Sequence, residues 1–346
     1  MREPVVIVQV CYDKGKTIFD KHSDRFQWIQ TAEDEEIVTN KVRENKARIA
    51  VLGVAPYRAA LYAALAEVAG GRQEAGSRPA LIARFGVGFE TIDTELCKQS
   101  NIYLTITPGT LDQSVAEHTI ALLLAVTRHV SVLDRAMHAR EYTAVRGIEL
   151  AGKPLGIAGF GKIGKQVALI ASRGLNMKIH AFDCLSLAEQ ARQQGKSIDD
   201  FVSFYGISEY TTDFEVFAAQ VPIVSIHMST NDQTRDFFDA QRLALMQDGA
   251  VLINTGRGAL ISEPDLYEAL ASGKLVGAGI DVFAREPYTP VSAEHDFREL
   301  PNVVLTPHVA SNTTEANQNM ASAVVTNIDA FLQSKYDALT TPRLTT

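Results

Sequence analysis

Three side chains with complementary chemistry, Arg257, Glu286 and His308, each follow a short apolar run. The runs, which predict buried strands, are Ala250–Ile253, Leu275–Ile280 and Val303–Leu305. Ligands of open α/β sheets bind beyond the carboxyl ends of the strands, so we expect the three side chains to share one cleft. The arginine can hold a carboxylate, the histidine can carry a proton, and the glutamate can stabilise the imidazolium. Interconversion of a 2-hydroxy acid and a 2-keto acid requires this combination.

A glycine pattern further upstream predicts a dinucleotide site. Its residues are Gly159, Phe160, Gly161, Lys162, Ile163 and Gly164. The apolar run Pro154–Ala158 precedes them and a helical segment, Lys165–Ala171, follows, which is the context that this fingerprint needs. We expect Gly159 to form a tight turn, Gly161 to let the pyrophosphate approach the backbone, and Gly164 to let helix and strand pack closely. The phosphates would then lie at the helix N-terminus.

The end of the next apolar run indicates which dinucleotide is bound. Met177–Phe182 ends in Asp183, whose carboxylate can accept hydrogen bonds from the adenosine ribose hydroxyls. Asp183 would repel a 2′-phosphate, and neither Cys184 nor Leu185 offers a cation. The sequence therefore favours NAD over NADP.

Taken in order, these segments resemble the D-isomer-specific 2-hydroxyacid dehydrogenase family. The resemblance extends from about Ala80 to about Ser311 and includes three further motifs: Ala83–Asp93, Val115–His118 and Glu149–Lys153. It implies an NAD-dependent oxidoreductase that transfers a hydride between NAD(H) and a D-2-hydroxy acid/2-keto acid pair.

The resemblance also implies roles for individual residues. Arg257 matches the residue that orients the substrate, Glu286 the acid of a Glu-His pair, and His308 the proton carrier. The amides of Val87 and Gly88 match the group that binds the substrate carboxylate. Arg84, beside them, has two open interpretations: contact with the substrate or support of the cleft.

Three more residues are assigned to the cofactor site. Asp281 resembles the residue that meets the nicotinamide carboxamide, and we also assign His227 and Thr255 to NAD binding. The other histidines lack the spacing of metal ligands, so we expect no metal, and His118 receives no function.

Composition limits the classes of partner. The chain has 346 residues, enough for two domains, and its 33 basic and 41 acidic residues give a net charge of −8. This charge gives no electrostatic reason to expect nucleic acid or an anionic membrane surface. Three cysteines without CxxC spacing indicate reduced thiols, and Val5–Val10 is too short for a signal peptide, so we expect a cytoplasmic protein.

We expect an α/β protein with two doubly wound Rossmann-like domains. Residues 109–308 would form an NAD-binding domain, inserted in a substrate domain of residues 1–108 and 309–346. The elements predicted for the substrate domain are strands Val5–Val10, Ile49–Val54, Ala80–Phe85 and Ile102–Ile106, helices Glu36–Lys46 and Tyr57–Val68, and a C-terminal helix Thr314–Lys335.

In the inserted domain, Ser114–Glu117 predicts a capping box, and the polar stretch Gln193–Asp213 predicts an extra surface helix or loop. The apolar segment Ala116–Val126 predicts exposed apolar surface and a twofold homodimer.

The expected activity is reduction of a small 2-keto acid of the glyoxylate, hydroxypyruvate or pyruvate class. D-3-phosphoglycerate dehydrogenase is an alternative within the family, but those enzymes place an arginine and a serine where this chain has Leu52–Val54. Arg58 and Arg146 remain candidates for the missing charge. An NADH-sensing, corepressor-like binding protein is the alternative of another class, which the intact Arg257, Glu286 and His308 disfavour.

Overall fold

Two compact units divide the chain: Met1–Leu111 with Asn312–Thr346, and Asp112–Ser311. The structure, a computed structural model, describes residues 2–70 and 78–341. Both units are α/β with fully parallel sheets, as the sequence predicts. The boundaries proposed from the sequence, after residues 108 and 308, lie slightly before those of the two units.

The apolar runs of the N-terminal part become short buried strands. Its elements are β1 (Glu3–Val8), α1 (Gln9–Lys21), β2 (Phe26–Thr31), α2 (Glu35–Glu44), β3 (Ile49–Leu52), α3 (Ala59–Val68), β4 (Ala80–Arg84), α4 (Thr94–Gln99) and β5 (Ile102–Thr105). The strands form one parallel sheet in the order β2-β1-β3-β4-β5. Strand order reverses between β1 and β3, so this is a doubly wound sheet.

The structure differs from the prediction at the beginning of the chain. The predicted strand Val5–Val10 ends at Val8, because α1 begins at Gln9. Cys11, Gly15 and Phe19 bury one face of α1 at helical spacing. Strand β2 is not predicted either; it lies at the sheet edge and pairs only with β1.

The second unit contains the glycine fingerprint and all three predicted catalytic residues. Its elements are α5 (Asp112–Thr127), α6 (Val130–His138), β6 (Pro154–Ala158), α7 (Lys162–Leu175), β7 (Lys178–Phe182), α8 (Leu187–Gln193), α9 (Ile198–Tyr205), β8 (Ile207–Thr211), α10 (Phe214–Gln220), β9 (Ile223–Ile226), α11 (Ala240–Leu245), β10 (Ala250–Asn254), α12 (Glu263–Ala271), β11 (Leu275–Ile280) and β12 (Val303–Leu305). The parallel sheet has the order β12-β11-β10-β9-β6-β7-β8. Its strand order reverses at β6 and β9, the position at which doubly wound sheets bind ligands.

Helices cover both faces of this sheet. Successive residues of a strand point to opposite faces of the sheet. In β6, Ile157 belongs to a core formed with α5, α7 and α9. Its neighbour Ala158 belongs to a core formed with α10, α11 and α12 on the other face. Both residues are fully buried. Burial on both faces explains why the strands are almost uninterrupted apolar runs.

Helix α5 is buried against its own domain. Leu122 and Val126 pack on β11. A Cβ at Gly279 would lie 3.0 Å from Leu122 Cβ, and a Cβ at Gly277 would lie 2.7 Å from Val126 Cγ1. The prediction that Ala116–Val126 leaves a large apolar surface for a partner is therefore wrong. The apolar face of this helix serves the internal core instead.

Of two further expectations for this unit, one is wrong and the other is correct in part. Helix α5 begins at Asp112, so Ser114 lies inside the helix and does not form its N-terminal capping box. The stretch Gln193–Asp213 does contain a surface helix, α9, in which only Phe201 and Tyr205 are buried, around Phe160; the prediction did not include β8, which forms an edge of the sheet.

The C-terminal helix belongs to the first unit, as predicted. Helix α13 (Thr314–Leu332) packs against α1, where a Cβ at Gly15 would lie 2.6 Å from Ala321 Cβ. None of the helices in the described ranges is both long and apolar enough to cross a membrane.

Candidate active site

The three predicted catalytic residues follow three neighbouring strands. Arg257, Glu286 and His308 stand in the segments after β10, β11 and β12, which are adjacent and parallel. The prediction that each follows a strand is confirmed. Their loops start from the same edge of one sheet, so the second unit alone assembles this part of the site.

His308 and Glu286 form a hydrogen-bonded pair. His308 Nδ1 lies 2.6 Å from Glu286 Oε2, and the other carboxylate oxygen accepts a hydrogen bond of 3.0 Å from the Phe283 amide. An ionised carboxylate only accepts, so Nδ1 carries the hydrogen. The Nε2 atom is left to exchange a proton with a ligand. Both side chains are about one-third exposed, at 36% and 33%, so a ligand can approach them.

The environment of Glu286 keeps it ionised. Burial raises the pKa of Glu286, but hydrogen bonds from His308 and the Phe283 amide, together with the charges of His308 and Arg257, outweigh that effect and lower the pKa below its ordinary value. The carboxylate is therefore negative at neutral pH. The pair therefore places a negative charge beside the His308 imidazole.

Arg257 lies in a turn that Asn254 holds. The buried Asn254 amide donates to the Arg257 carbonyl at 3.0 Å and accepts from the Gly256 amide at 3.0 Å. The half-buried Arg257 guanidinium donates to the Gly256 carbonyl at 2.8 Å. Sequence reasoning did not identify Asn254, although an asparagine at a strand end before glycine is a recognisable turn signal.

The loops of Arg257 and Glu286 pack directly against each other. A Cβ at Gly258 would overlap the carbonyl carbon of Phe283, so only glycine allows this approach. The buried Glu263 carboxylate accepts a hydrogen bond of 2.7 Å from the Ala284 amide. Burial also raises the pKa of Glu263. Sequence analysis missed Glu263, because an acid in the first turn of a helix normally indicates only a favourable helix start.

Asp281 fixes the loop that contains His308. Its carboxylate accepts hydrogen bonds from Thr306 Oγ1 at 2.6 Å, from the Val309 amide at 2.9 Å and from the Ala310 amide at 2.9 Å. The His308 amide donates to the Asp281 carbonyl at 2.7 Å, and His308 has a φ of 52°. Left-handed backbone is uncommon for a non-glycine residue, so these bonds hold His308 in a demanding conformation.

The Asp281 side chain has no exposed surface. Burial raises its pKa, but hydrogen bonds from His118, Thr306 and the two loop amides outweigh that effect and lower the pKa. The predicted contact between Asp281 and the nicotinamide carboxamide stays a prediction.

The glycine turn has the geometry that a dinucleotide requires. Gly159 has a φ of 95°, and a Cβ there would lie 2.6 Å from the His227 backbone. A Cβ at Gly161 would meet open space, whereas one at Gly164 would overlap the Gly159 carbonyl oxygen. Gly161 is the N-cap residue of α7 and provides no side-chain cap, so the first amides of α7 can bind a phosphate. The residues present therefore fit the pyrophosphate of a dinucleotide.

The predicted ribose-binding residue is adjacent to this turn. Asp183 follows β7, and its carboxylate accepts hydrogen bonds from the Phe160 amide at 2.7 Å and the Leu185 amide at 2.9 Å. His227 follows β9, and burial lowers the pKa of its imidazole to about 3, so the ring is neutral. Thr255 is buried, and its hydroxyl lies 2.8 Å from that of Thr119. The cofactor contacts of these residues stay predictions.

The predicted carboxylate-binding amides lie in the first unit, in the segment after β4. Arg84, the last residue of β4, is buried and donates to the carbonyls of Gly88 at 2.8 Å, Leu52 at 3.1 Å and Phe85 at 3.1 Å. These contacts favour the interpretation that Arg84 supports the loop of Val87 and Gly88.

Within the described ranges, the chain contains no group of three or more His, Cys, Asp or Glu side chains that could hold a metal ion.

The fold and the polar groups of the second unit define a class of protein. A glycine turn after β6 and an arginine with a Glu-His pair after β10, β11 and β12 are the parts of a nicotinamide-dependent dehydrogenase that moves a hydride and a proton.

Comparison with known families agrees with this class. Residues 120–310 match the family model described as "D-isomer specific 2-hydroxyacid dehydrogenase, NAD binding domain". The chain belongs to the D-isomer-specific 2-hydroxyacid dehydrogenase family. It is therefore an NAD-dependent 2-hydroxyacid dehydrogenase, and the resemblance inferred from the motifs is confirmed.

Three curated relatives illustrate the range of the family. The chain is 36% identical to a glyoxylate reductase of Aeropyrum pernix, covering 74% of each chain. It is 35% identical to a hydroxypyruvate reductase of Thermotoga maritima, covering 74% of this chain and 78% of that one. It is 32% identical to a D-3-phosphoglycerate dehydrogenase of Archaeoglobus fulgidus, over 72% of this chain but only 44% of that one.

A solved structure shows the same fold. It is the pyruvate reductase of Chlamydomonas reinhardtii, with a TM-score of 0.77 and 25% identity over 96% of this chain and 97% of that one. The predicted fold class of two Rossmann-like domains is confirmed.

Proposed function

We propose that this protein reduces a small, unphosphorylated 2-keto acid to the D-2-hydroxy acid with NADH. The observation that carries the proposal is the 2.6 Å contact between His308 and Glu286, with the charge of Arg257 acting on the same carboxylate. The names of the relatives, glyoxylate reductase and hydroxypyruvate reductase, support a substrate of this size.

The side chains of the second unit can perform the proton chemistry. In reduction, the His308 imidazolium gives its Nε2 proton to the substrate oxygen while the carbonyl carbon receives the hydride; in oxidation, neutral His308 removes the hydroxyl proton. The bound nicotinamide supplies or accepts that hydride. Glu286 keeps the imidazole in one tautomer, and Arg257 presents a planar fork that binds the carboxylate and polarises the carbonyl.

The family resemblance assigns binding of the substrate carboxylate to two backbone amides of the first unit. The amides of Val87 and Gly88 bind the substrate carboxylate, and Arg84 orients their loop through its three carbonyl contacts. The NAD contacts are those predicted for the glycine turn, Asp183, His227, Thr255 and Asp281.

A carboxylate near the segment after β3 argues against a phosphorylated substrate. A Cβ at Gly53 would overlap the Glu33 carboxylate, and Glu33 accepts a hydrogen bond of 3.1 Å from the Ala55 amide. This is where phosphoglycerate dehydrogenases of the family are expected to place cationic and hydroxyl side chains. A fixed acid in their place would repel a phosphate.

The substrate proposal is tested by NADH oxidation with a panel of 2-keto acids. Glyoxylate or hydroxypyruvate should have a kcat/KM at least about tenfold above that of phosphohydroxypyruvate, because one repelled charge costs on the order of 1.4 kcal/mol. Chiral analysis of the hydroxypyruvate product should show the D isomer.

Glu33→Gln is the matched variant for this test and should narrow the gap between the two substrates. Faster turnover of phosphohydroxypyruvate by the unmodified protein would contradict the proposal, as would an L product. NADH binding without turnover of any 2-keto acid would instead support the corepressor-like alternative.

We further propose a twofold homodimer, whose interface includes α6 rather than α5. Every residue of α6 is at least partly exposed, and Met137 is 57% exposed. The exposed apolar side chains continue beyond the helix to Tyr142, which is 97% exposed. Apolar surface of this kind normally marks a contact with another chain.

We also propose a cytoplasmic location, which the unpaired state of all three cysteines supports.

Light scattering tests the dimer. The unmodified protein should have the mass of two chains at micromolar concentration, and Met137→Glu should shift it towards the monomer because the interface would bury an unpaired charge. Val216→Glu, at an exposed apolar position of α10, is the matched control and should leave the mass unchanged. A monomeric unmodified protein would contradict the proposal.

A further inference from the structure

Helix α5 contacts the loops of both Arg257 and His308. His118 Nε2 lies 3.0 Å from Thr306 Oγ1 and 3.5 Å from Asp281 Oδ1. The next residue, Thr119, has its hydroxyl 2.8 Å from that of Thr255, in the Arg257 turn. Two consecutive residues of one helix therefore meet two segments that are separated in sequence.

The hydrogen-bond donors along this contact can be assigned. Asp281 is an acceptor only, and Thr306 already uses its one hydroxyl hydrogen toward Asp281 Oδ1 at 2.6 Å. The Thr306 oxygen must then accept from His118, so His118 Nε2 carries a hydrogen. The result is a directed chain from His118 through the Thr306 hydroxyl to the Asp281 carboxylate, which also accepts from the amides of Val309 and Ala310.

We propose that His118 is a positioning residue for His308. This inference rests on the proposed function, in which His308 carries the proton. His118 sets the direction of the Thr306 hydroxyl and thereby fixes the loop from 306 to 310, in which His308 adopts its left-handed backbone conformation. His118 itself does not touch the reacting atoms.

Loss of His118 should affect catalysis more than folding. Without it, Asp281 still accepts from the Thr306 hydroxyl and two amides, so no buried charge is left unpaired. What is lost is the constraint on Thr306. A small displacement of a catalytic group lowers the rate of proton transfer without removing the binding groups for the substrate.

The test compares His118→Leu with His118→Gln. The leucine variant cannot donate, and its kcat should fall by about tenfold or more with little change in KM for glyoxylate. The alkaline midpoint of its kcat profile should move to lower pH, because a looser loop weakens the contact between His308 and Glu286. The glutamine variant retains an N–H at similar reach and should restore most of kcat.

Thr127→Val is the control for general damage to α5. Thr127 lies in the same helix and is more deeply buried than His118, but its hydroxyl donates only to the Leu123 carbonyl one helical turn away. This variant should retain kcat and the pH profile. If His118→Leu does not fold, His118→Met takes its place in the comparison with His118→Gln, since methionine also cannot donate a hydrogen bond.

Unchanged kcat in His118→Leu, or equal losses in the leucine and glutamine variants, would overturn the inference. The His308→Gln variant separates this result from failure of the proposed function. If His308→Gln is inactive and His118→Leu is normal, only the role of His118 is refuted. If His308→Gln remains active, the proposed proton carrier itself is wrong.

Discussion

Replacing His308 by glutamine should lower kcat for 2-keto acid reduction by about 10² to 10⁴, the usual contribution of general acid-base catalysis. Glutamine can occupy similar space and meet Glu286, but it cannot deliver a proton at neutral pH. NADH affinity should stay close to that of the unmodified protein. Stopped-flow turnover and a fluorescence titration with NADH measure the two quantities.

Glu286→Gln is the companion variant and should give a different signature. The pKa of Glu286 lies below its ordinary value, so the carboxylate is ionised throughout the neutral range and stabilises the imidazolium that reduction consumes. Without that charge, the alkaline loss of activity should occur at lower pH. Near-normal kcat in His308→Gln would mean that another group transfers the proton.

The second large effect concerns the dinucleotide. NADH should exceed NADPH by about two orders of magnitude in kcat/KM, because a repelled and unpaired 2′-phosphate costs roughly 3 kcal/mol. The hydrogen bonds from the Phe160 and Leu185 amides hold the Asp183 carboxylate beside the glycine turn. Steady-state kinetics with both cofactors measures the ratio.

Two substitutions of Asp183 separate charge from structure. Asp183→Asn keeps an acceptor for the neighbouring amides and removes the charge. It should therefore narrow the preference for NADH over NADPH, and thermal stability should stay close to that of the unmodified protein. Asp183→Ala should narrow the preference too, with lower stability because both amides lose their acceptor. Equal use of NADH and NADPH by the unmodified protein would disprove the role of Asp183.

Much of the site could be predicted because local patterns encode it. The strands before Arg257, Glu286 and His308 are uninterrupted apolar runs, which parallel strands buried on both faces produce. The glycine turn carries its own signature. Because the carboxyl ends of parallel strands lie at the same edge of the sheet, segments that are distant in sequence then meet there.

The errors have equally specific causes. The run Val5–Val10 crosses from a strand into a helix, and its one polar residue, Gln9, also fits a strand with alternating polar and apolar positions, so the sequence does not mark where the strand ends. An apolar helix such as α5 has the same sequence pattern whether its own domain or a second chain covers it. The Val115–His118 motif did not indicate a function for His118, because its partner Thr306 is 188 residues away.

The close packing at Gly258 has a practical consequence for changing what this enzyme accepts. The Arg257 and Glu286 loops share a contact that leaves no room for any side chain at position 258, so neither loop can be redesigned alone. Libraries that vary residues 255–258 or residues 283–286, but not both segments together, should therefore yield mostly inactive clones. Variation is better directed to the segments after β3 and β4, which belong to the other unit and are independent of that contact.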